Sequence, residues 1–218
     1  MKIIMAFLED LKNNNNRDWF QANKARYEEV KPEFESIVAE VIKGISNFDS
    51  DIGLLKPKDC VFRIYRDVRF SKNKDPYKIN MGAAFNKGGR KSRHAGYYLH
   101  VEPGNCFIGG GKWQPEPDIL KSIRYEIFHS PKEFRKIIDN KNFVNSFGEM
   151  SGDKLKRPPK GFPQDFEEIE LIKFKSYIAG ASIPENQITQ PKFTPFVVDA
   201  FRQMKPFIGF LNNCVDHP

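Results

Sequence analysis

Six cations fall between residues 63 and 78, in a stretch that also carries strand-forming apolar residues. They are Arg63, Arg66, Arg69, Lys72, Lys74 and Lys78. Cations brought together on a folded segment repel one another and lose hydration, which is costly unless an anion compensates. The planar guanidinium group matches the oxygens of phosphate and carboxylate. The stretch therefore predicts a site for a small phosphorylated or carboxylated ligand.

The positive charge of the chain is regional. Residues 56–93 contain twelve Lys and Arg against three Asp, a net charge of +9, whereas the whole chain carries +7. The rest of the chain is therefore slightly acidic. This distribution predicts that one face or cleft meets an anion, rather than a surface that is basic throughout.

We expect a subset of these cations, with nearby tyrosines, to contact the ligand. The expected ligand-binding residues in this region are Arg63, Tyr65, Arg66, Arg69, Lys74, Tyr77, Lys78 and Tyr98. If the segment is an extended strand, Arg63 and Arg69 lie roughly 20 Å apart at about 3.3 Å per residue, so both cannot contact the same small anion. The alternative is that the arginines form weak surface ion pairs with acids such as Asp67 and Glu102.

An imidazole and two carboxylates supply the candidate catalytic groups. Tyr98, His100 and Glu102 alternate along a predicted strand, so their side chains share one face. A carboxylate beside an imidazole orients the ring and stabilises its charged form, which suits a general base. We therefore assign tentative catalytic roles to His100, Glu102 and Asp67. The alternative is a hydrogen-bonded sheet face without chemistry, and the pattern does not distinguish binding from turnover.

No metal site or particular cofactor is predicted. The His100-x-Glu102 pair offers two ligands on a strand, but no third ligand follows at a spacing typical of a metal site. The glycines at 109–111 precede a predicted helix, where exposed backbone amides attract anions, so Gly110 and the nearby Trp113 join the ligand-binding candidates. The segment is not a Walker loop, because Cys106 occupies the place of the first glycine. A tight strand-to-helix turn is the alternative.

Apolar periodicity predicts an α+β fold. Helical spacing covers the N-terminal 47 residues, the segments beginning at Pro117 and Pro131, and a closing helix after Thr194. Alternation with a period of two predicts strands over 61–70, 81–86, 95–102 and 106–108, and a further strand is expected within 171–179. Short connections favour an antiparallel meander. We expect a single domain over residues 1–218, with a central antiparallel sheet flanked by N-terminal and C-terminal helices.

Composition and charge also bear on membrane, nucleic-acid and protein partners. No apolar run approaches the ~20 residues of a membrane helix, and the start is too short for a secretory signal, so we expect a cytoplasmic protein without a membrane partner. The glycine-flanked cations of residues 87–93 leave open a nucleic-acid-binding module, nuclease activity included. An interaction domain for an acidic protein is a third hypothesis.

Several motifs together resemble a known family. They are Asp18-Trp19-Phe20, Arg63 to Lys72, Pro76-Tyr77-Lys78, Gly96 to Pro103, Gly109 to Trp113 and Pro158 to Phe162. In this order they resemble the bacterial and fungal domain-of-unknown-function family 2461 over nearly the whole chain, with Lys112 where an apolar residue is more usual. The resemblance implies a single α+β domain. It brings no reaction with it, so a function must be argued from the residues.

Overall fold

The computed structural model describes residues 1–217, except for the side chain of Glu185. Three helices occupy the N-terminal region, as the apolar spacing predicts: α1 (Lys2–Asn13), α2 (Arg17–Ala22) and α3 (Lys24–Ser46). Asn16 caps α2, because its side-chain oxygen accepts a hydrogen bond from the Trp19 backbone amide. Pro32 lies inside α3 without ending it.

Seven further helices are described along the chain. They are α4 (Pro57–Cys60), α5 (Pro117–His129), α6 (Pro131–Ile138), α7 (Lys141–Phe147), α8 (Ile169–Ile172), α9 (Glu185–Ile188) and α10 (Phe193–Asp216), with a 3₁₀ turn at Ser50–Ile52. Proline opens α4, α5 and α6, where its missing amide removes no helical hydrogen bond. Within the described part of the chain, no helix combines the length and apolarity needed to cross a membrane.

Four antiparallel strands form one sheet in the order of the sequence: β1 (Met81–Asn86), β2 (Gly96–Val101), β3 (Phe107–Lys112) and β4 (Tyr177–Ser182). This meander, with helices at both ends of the chain, confirms the predicted α+β class. In the β1–β2 register, His100 lies opposite Gly82, and in the β2–β3 register it lies opposite Phe107. The sheet therefore places His100 between two neighbouring strands.

One face of the sheet packs against helices. Tyr97, Leu99 and Val101 of β2 are fully buried, and the Tyr97 and Phe85 rings contact Phe201 of α10. The buried apolar residues form one cluster that draws on both ends of the chain. We therefore propose that the chain folds as one unit. Because strand side chains alternate, Tyr98 and His100 project from the opposite, outward face.

A buried carboxylate is tied into this core. Asp49 is only 4% exposed, accepts a hydrogen bond from the Tyr97 hydroxyl at 2.8 Å and pairs with Lys205 at 2.8 Å. A buried charge is tolerated only when it is paired and hydrogen-bonded. Asp49 thus links the segment after α3 to β2 and α10.

The predicted strand over residues 61–70 is wrong. This segment makes only isolated bridges, Val61 with Ala83 and Tyr65 with Tyr77, and Phe70 is 96% exposed instead of lying on an apolar face. Its backbone pairs within its own loop, since the Arg66 amide donates to the Pro76 carbonyl and the Lys78 amide donates to the Ile64 carbonyl. We call residues 61–80 the arginine loop. It folds back on itself beside the edge strand β1.

The glycine run also differs from the prediction. Gly109, Gly110 and Gly111 lie within β3, whereas α5 begins only at Pro117, so the run is not a turn at a helix N-terminus. The close approach of β4 explains the glycines: a Cβ on Gly111, whose φ is +121°, would lie 2.1 Å from the Tyr177 carbonyl oxygen. The strand expected within 171–179 is instead Tyr177–Ser182, because Ile169–Ile172 form α8 and residues 173–176 turn between the two.

Candidate functional site

A cleft of about 440 Å³ opens between the arginine loop and the outward face of the sheet. We call it the Lys78 cleft. Its lining residues are Phe62, Arg66, Asp67, Lys78, Asn80, Tyr98 and His100. Five of these seven are residues that the sequence singled out. Residues from the loop and from β2 therefore meet in one hollow, although they are separated along the chain.

The β2 side of the Lys78 cleft carries a chain of hydrogen bonds. His100 Nε2 lies 2.8 Å from Glu102 Oε2, and His100 Nδ1 lies 3.0 Å from the Tyr98 hydroxyl. The imidazole stacks on Phe107 at 4.5 Å between ring centroids, and His100 is 8% exposed. Packing and two hydrogen bonds thus hold the ring in one orientation.

The partners of the imidazole fix the tautomer of its neutral form. A carboxylate only accepts, so Nε2–H of His100 donates to Glu102, and in the neutral ring Nδ1 accepts the proton of the Tyr98 hydroxyl. Burial, together with the negative charge of Glu102, raises the pKa of Tyr98 to about 12, so Tyr98 is a phenol at neutral pH. Protonation of Nδ1 would turn the Tyr98 hydroxyl outward as a donor. The arrangement can therefore exchange a proton between the cleft and His100.

Lys78 supplies a cation to the cleft. Its ammonium group makes no hydrogen bond or ion pair with the residues that the structure describes, and it lies 5.2 Å from the centre of the Phe62 ring. Burial, and then the positive charge of Arg63, lower the pKa of Lys78. A desolvated lysine beside another cation is held at a cost, which an anion would relieve.

Arg66 lines the same cleft but also organises its loop. Its guanidinium donates to the Asp75 carbonyl at 3.1 Å and to the Ser71 hydroxyl at 3.3 Å, and it lies 4.0 Å from the Asp75 carboxylate. These contacts close the loop across residues 66–75. Arg66 thus shapes the Lys78 cleft while retaining charge beside it.

Other expected ligand-binding cations lie outside the cleft lining. Arg69 is exposed and forms a two-pronged pair with Asp67, at 3.0 and 2.7 Å, which lowers the pKa of that carboxyl. Lys74 donates to the Val68 carbonyl. Arg63 is exposed, and its charge acts on Lys78 from outside the lining. The ion-pair alternative therefore describes Arg69 and also Arg66, which pairs with Asp75, whereas Lys78 lacks such a partner among the described residues.

Tyr65 and Tyr77 anchor the arginine loop and do not line the cleft. Tyr77 is buried and stacks on Phe20 of α2 at 3.9 Å, and Tyr65 lies 5.9 Å from the same ring. The Asn15 side chain both donates to the Tyr77 carbonyl and accepts from its amide. These contacts fix the base of the loop and thereby the position of Lys78.

A second, larger cleft of about 750 Å³ crosses the outward face of the sheet. We call it the sheet groove. Trp113, 63% exposed, lines it together with Phe62 and Tyr98, which the two clefts share. Gly110 lines the groove through its backbone, and a Cβ there would lie 2.3 Å from Met204 Sδ. Gly110 and Trp113 therefore belong to the groove and not to the Lys78 cleft.

The cations of residues 87–93 are largely engaged within the protein. Lys87 pairs with Asp216 at 3.0 Å, Arg90 donates to the Lys58 carbonyl, and Arg93 pairs with Asp118. Lys91 makes no hydrogen bond or ion pair with the part of the chain described. This internal pairing reduces the charge available for a nucleic-acid backbone.

A Ser-His-Asp arrangement that the sequence did not reveal holds this segment. His94 lies 2.9 Å from the Ser92 hydroxyl and 2.8 Å from Asp216 of α10. The Ser92 hydroxyl also accepts the His94 backbone amide at 3.2 Å, as in a local turn. Hydrogen bonds from His94 and then Lys87 lower the pKa of Asp216. The network fastens residues 87–94 to the end of α10.

Two cleft residues escaped sequence reasoning. Phe62 has a period-two position typical of core packing, but its ring forms an edge contact with Tyr98 at 6.2 Å. Asn80 belongs to no recognised motif, yet it lines the cleft, and its side chain hydrogen-bonds to no described residue. The short separation between Asn80 and Lys78 in the sequence is the one signal that could have indicated Asn80 as a cleft residue. Among residues 1–217, no cluster of three His, Cys, Asp or Glu side chains could hold a metal ion.

Comparisons with known proteins agree with the motifs. No curated protein and no solved structure matches the chain. A family model described as conserved hypothetical protein (DUF2461) matches residues 3–210, which include the arginine loop and all four strands. The chain therefore belongs to the DUF2461 family, a family of conserved hypothetical proteins.

Proposed function

We propose that this protein binds a small phosphorylated or carboxylated ligand in the Lys78 cleft. The observation that carries the proposal is the Lys78 ammonium, which lines an open cleft without an acidic partner among the described residues. An unpaired and partly desolvated cation is costly, and an anion would offset that cost. Arg66 adds charge beside Lys78.

Neutral donors in the cleft complement the charge. The Asn80 amide has two donor hydrogens, and the Tyr98 hydroxyl becomes a donor to the ligand when His100 takes up a proton on Nδ1. Glu102 stabilises the imidazolium that forms, since it accepts from Nε2. Any acid–base chemistry on the ligand would therefore run from His100 through Tyr98, with Glu102 as the positioning residue.

The proposal favours a small ligand over nucleic acid. A nucleic-acid surface needs several cations free to meet successive phosphates. Three of the four cations in residues 87–93 are engaged inside the protein, and Arg69 is paired with Asp67. The charge distribution thus supports a small anionic ligand in the Lys78 cleft over a nucleic-acid backbone.

NMR titration tests the proposal. Inorganic phosphate and acetate are added separately to ¹⁵N-labelled protein, and shifts are followed at the Asn80 side-chain amide and the His100 imidazole. We expect saturable shifts at both positions with at least one of the anions. Shifts confined to exposed residues such as Lys72 and Lys91, or an absence of saturable shifts with both anions, would overturn it.

A further inference from the structure

The outward face of the sheet has a floor almost without side chains. At its centre lie Ala84 of β1, Gly96 of β2, Gly109 and Gly111 of β3, and Gly180 of β4. Gly109 lies opposite Gly180, and Gly96 lies opposite Gly111. The bare area therefore extends from Gly96 of β2 across β3 to Gly180 of β4, and Tyr98, which lies between Ala84 and Gly109, borders it.

The strand packing itself keeps this floor bare. A Cβ on Gly109 would lie 2.8 Å from the Ala179 carbonyl oxygen, and one on Gly180 would lie 2.9 Å from the Ile108 carbonyl oxygen. Backbone atoms cannot give way as a flexible side chain can. The flat floor is consequently a fixed feature of the fold, and a planar group can lie directly on the peptide units.

Aromatic and apolar side chains border the floor. Tyr98 and Phe107 contact each other at 5.6 Å between centroids on one side, while Trp113 and Ile178 also line the groove. Trp113 stays 63% exposed, which leaves a large apolar face uncovered. Aromatic rings prefer offset-stacked or edge contacts with other rings. These walls and the flat floor suit a planar ring system, and the volume of about 750 Å³ lies in the usual range for a small-molecule site.

The groove continues into the Lys78 cleft. Phe62 and Tyr98 line both cavities, so a ligand can lie on either side of this pair. We propose that the ligand is an aromatic anion: a phosphate or carboxylate held at Lys78 and joined to a planar ring that rests on the glycine floor. This inference rests on the proposed function and adds the class of ligand. Asn86 and Ser182, which also line the groove, offer polar contacts to heteroatoms on the ring.

Matched pairs of ligands test the ring and the anion separately. Calorimetric titration compares inorganic phosphate with 1-naphthyl phosphate, and acetate with 1-naphthoate, in the wild-type protein. We expect the naphthyl member of at least one pair to bind about 10-fold more tightly than its small partner, which corresponds to about 1.4 kcal/mol. Naphthyl compounds that bind no more tightly than the small anions would overturn the inference and leave the proposed function standing. If none of the four compounds binds, both fail.

Variants locate the ring. Ala84→Leu places a larger side chain on the floor, and Trp113→Ala removes a wall residue whose side chain is largely exposed. We expect each variant to reduce the ratio between the affinities for the naphthyl compound and for the small anion, here called the naphthyl advantage, by 3-fold or more. The affinity for the small anion itself should stay unchanged. Phe70→Ala, which removes a 96% exposed aromatic residue outside both cavities, is the control and should keep the full advantage. An unchanged advantage in Trp113→Ala and in folded Ala84→Leu would overturn the inference.

Discussion

Replacing Lys78 with methionine should stabilise the free protein and weaken its response to anions. Methionine keeps an unbranched stem against Phe62 but removes an ammonium group that burial and Arg63 already disfavour. Relief of such a site contributes on the order of 1 kcal/mol. For a chain of 218 residues this raises the melting temperature by about 2–4 °C.

The effect on binding should be larger and of opposite sign. A hydrogen bond to a charged group contributes about 1.5–3 kcal/mol, so Lys78→Met should weaken anion binding roughly 10- to 150-fold. An anion at 100 times its dissociation constant stabilises the wild-type protein by about 2.7 kcal/mol, or about 5–11 °C. After a 100-fold loss of affinity, the same concentration should give only about 1 °C.

Differential scanning fluorimetry with and without anion measures both effects. Lys72→Met is the matched control, because Lys72 is an exposed lysine of the same loop that lies outside the cleft lining. It should leave both the melting temperature and the anion response unchanged. A Lys78→Met protein that is less stable than Lys72→Met, or one that keeps the wild-type anion response, would show that Lys78 is neither held at a cost nor the anion-binding group.

Two further predictions follow from the ion pairs. Lys205→Met should cost about 3 kcal/mol in urea unfolding, because it removes the cation from buried Asp49, and a loss below about 1 kcal/mol would count against that role. Hydrogen bonds from Arg135 lower the pKa of Glu168, so they stabilise the folded protein fully above about pH 4.3, and this stabilisation is lost as the pH falls through the folded-state pKa. Glu168→Gln should therefore reduce the dependence of the free energy of unfolding on pH in this acidic range. An unchanged pH dependence would contradict this.

Sequence patterns predicted the parts of the fold that depend on local periodicity. The helical stripe of α3 and the alternation in β2 each reflect one buried face, and a buried face leaves a regular pattern in the sequence. Tyr98, His100 and Glu102 could be placed together for the same reason. Their hydrogen bonds follow from the side-chain period of a strand.

Residues 61–70 were mispredicted because alternation does not identify the pairing partner. Ile64 is buried as the period requires, but the backbone pairs with residues 76–78 of its own loop, and Phe70 points into solvent. Whether each cation forms an ion pair then depends on its neighbours in space, which the spacing in the sequence does not reveal. Arg69 meets Asp67 two residues away, whereas the fold-back at Tyr77 brings Lys78 against β2, where it forms no ion pair with any described acid.

The glycine run illustrates the same limit. Three consecutive glycines fit a turn before a helix as well as a strand pressed against a neighbour, since both need backbone without a Cβ. The carbonyl oxygens of Ala179 and Tyr177, about 70 residues further along the chain, decide between the two. The bare floor of the sheet groove thus became visible only when β3 was paired with β4.

The most direct test of the account is to locate an anion in crystals of this protein. Crystals soaked in tungstate, a heavy analogue of phosphate, are measured at a wavelength that gives a strong anomalous signal. We predict an anomalous peak in the Lys78 cleft, within hydrogen-bonding distance of Lys78 and Asn80 and beside Tyr98. Peaks only at exposed cations such as Lys72 and Lys91, with none in the cleft, would contradict it.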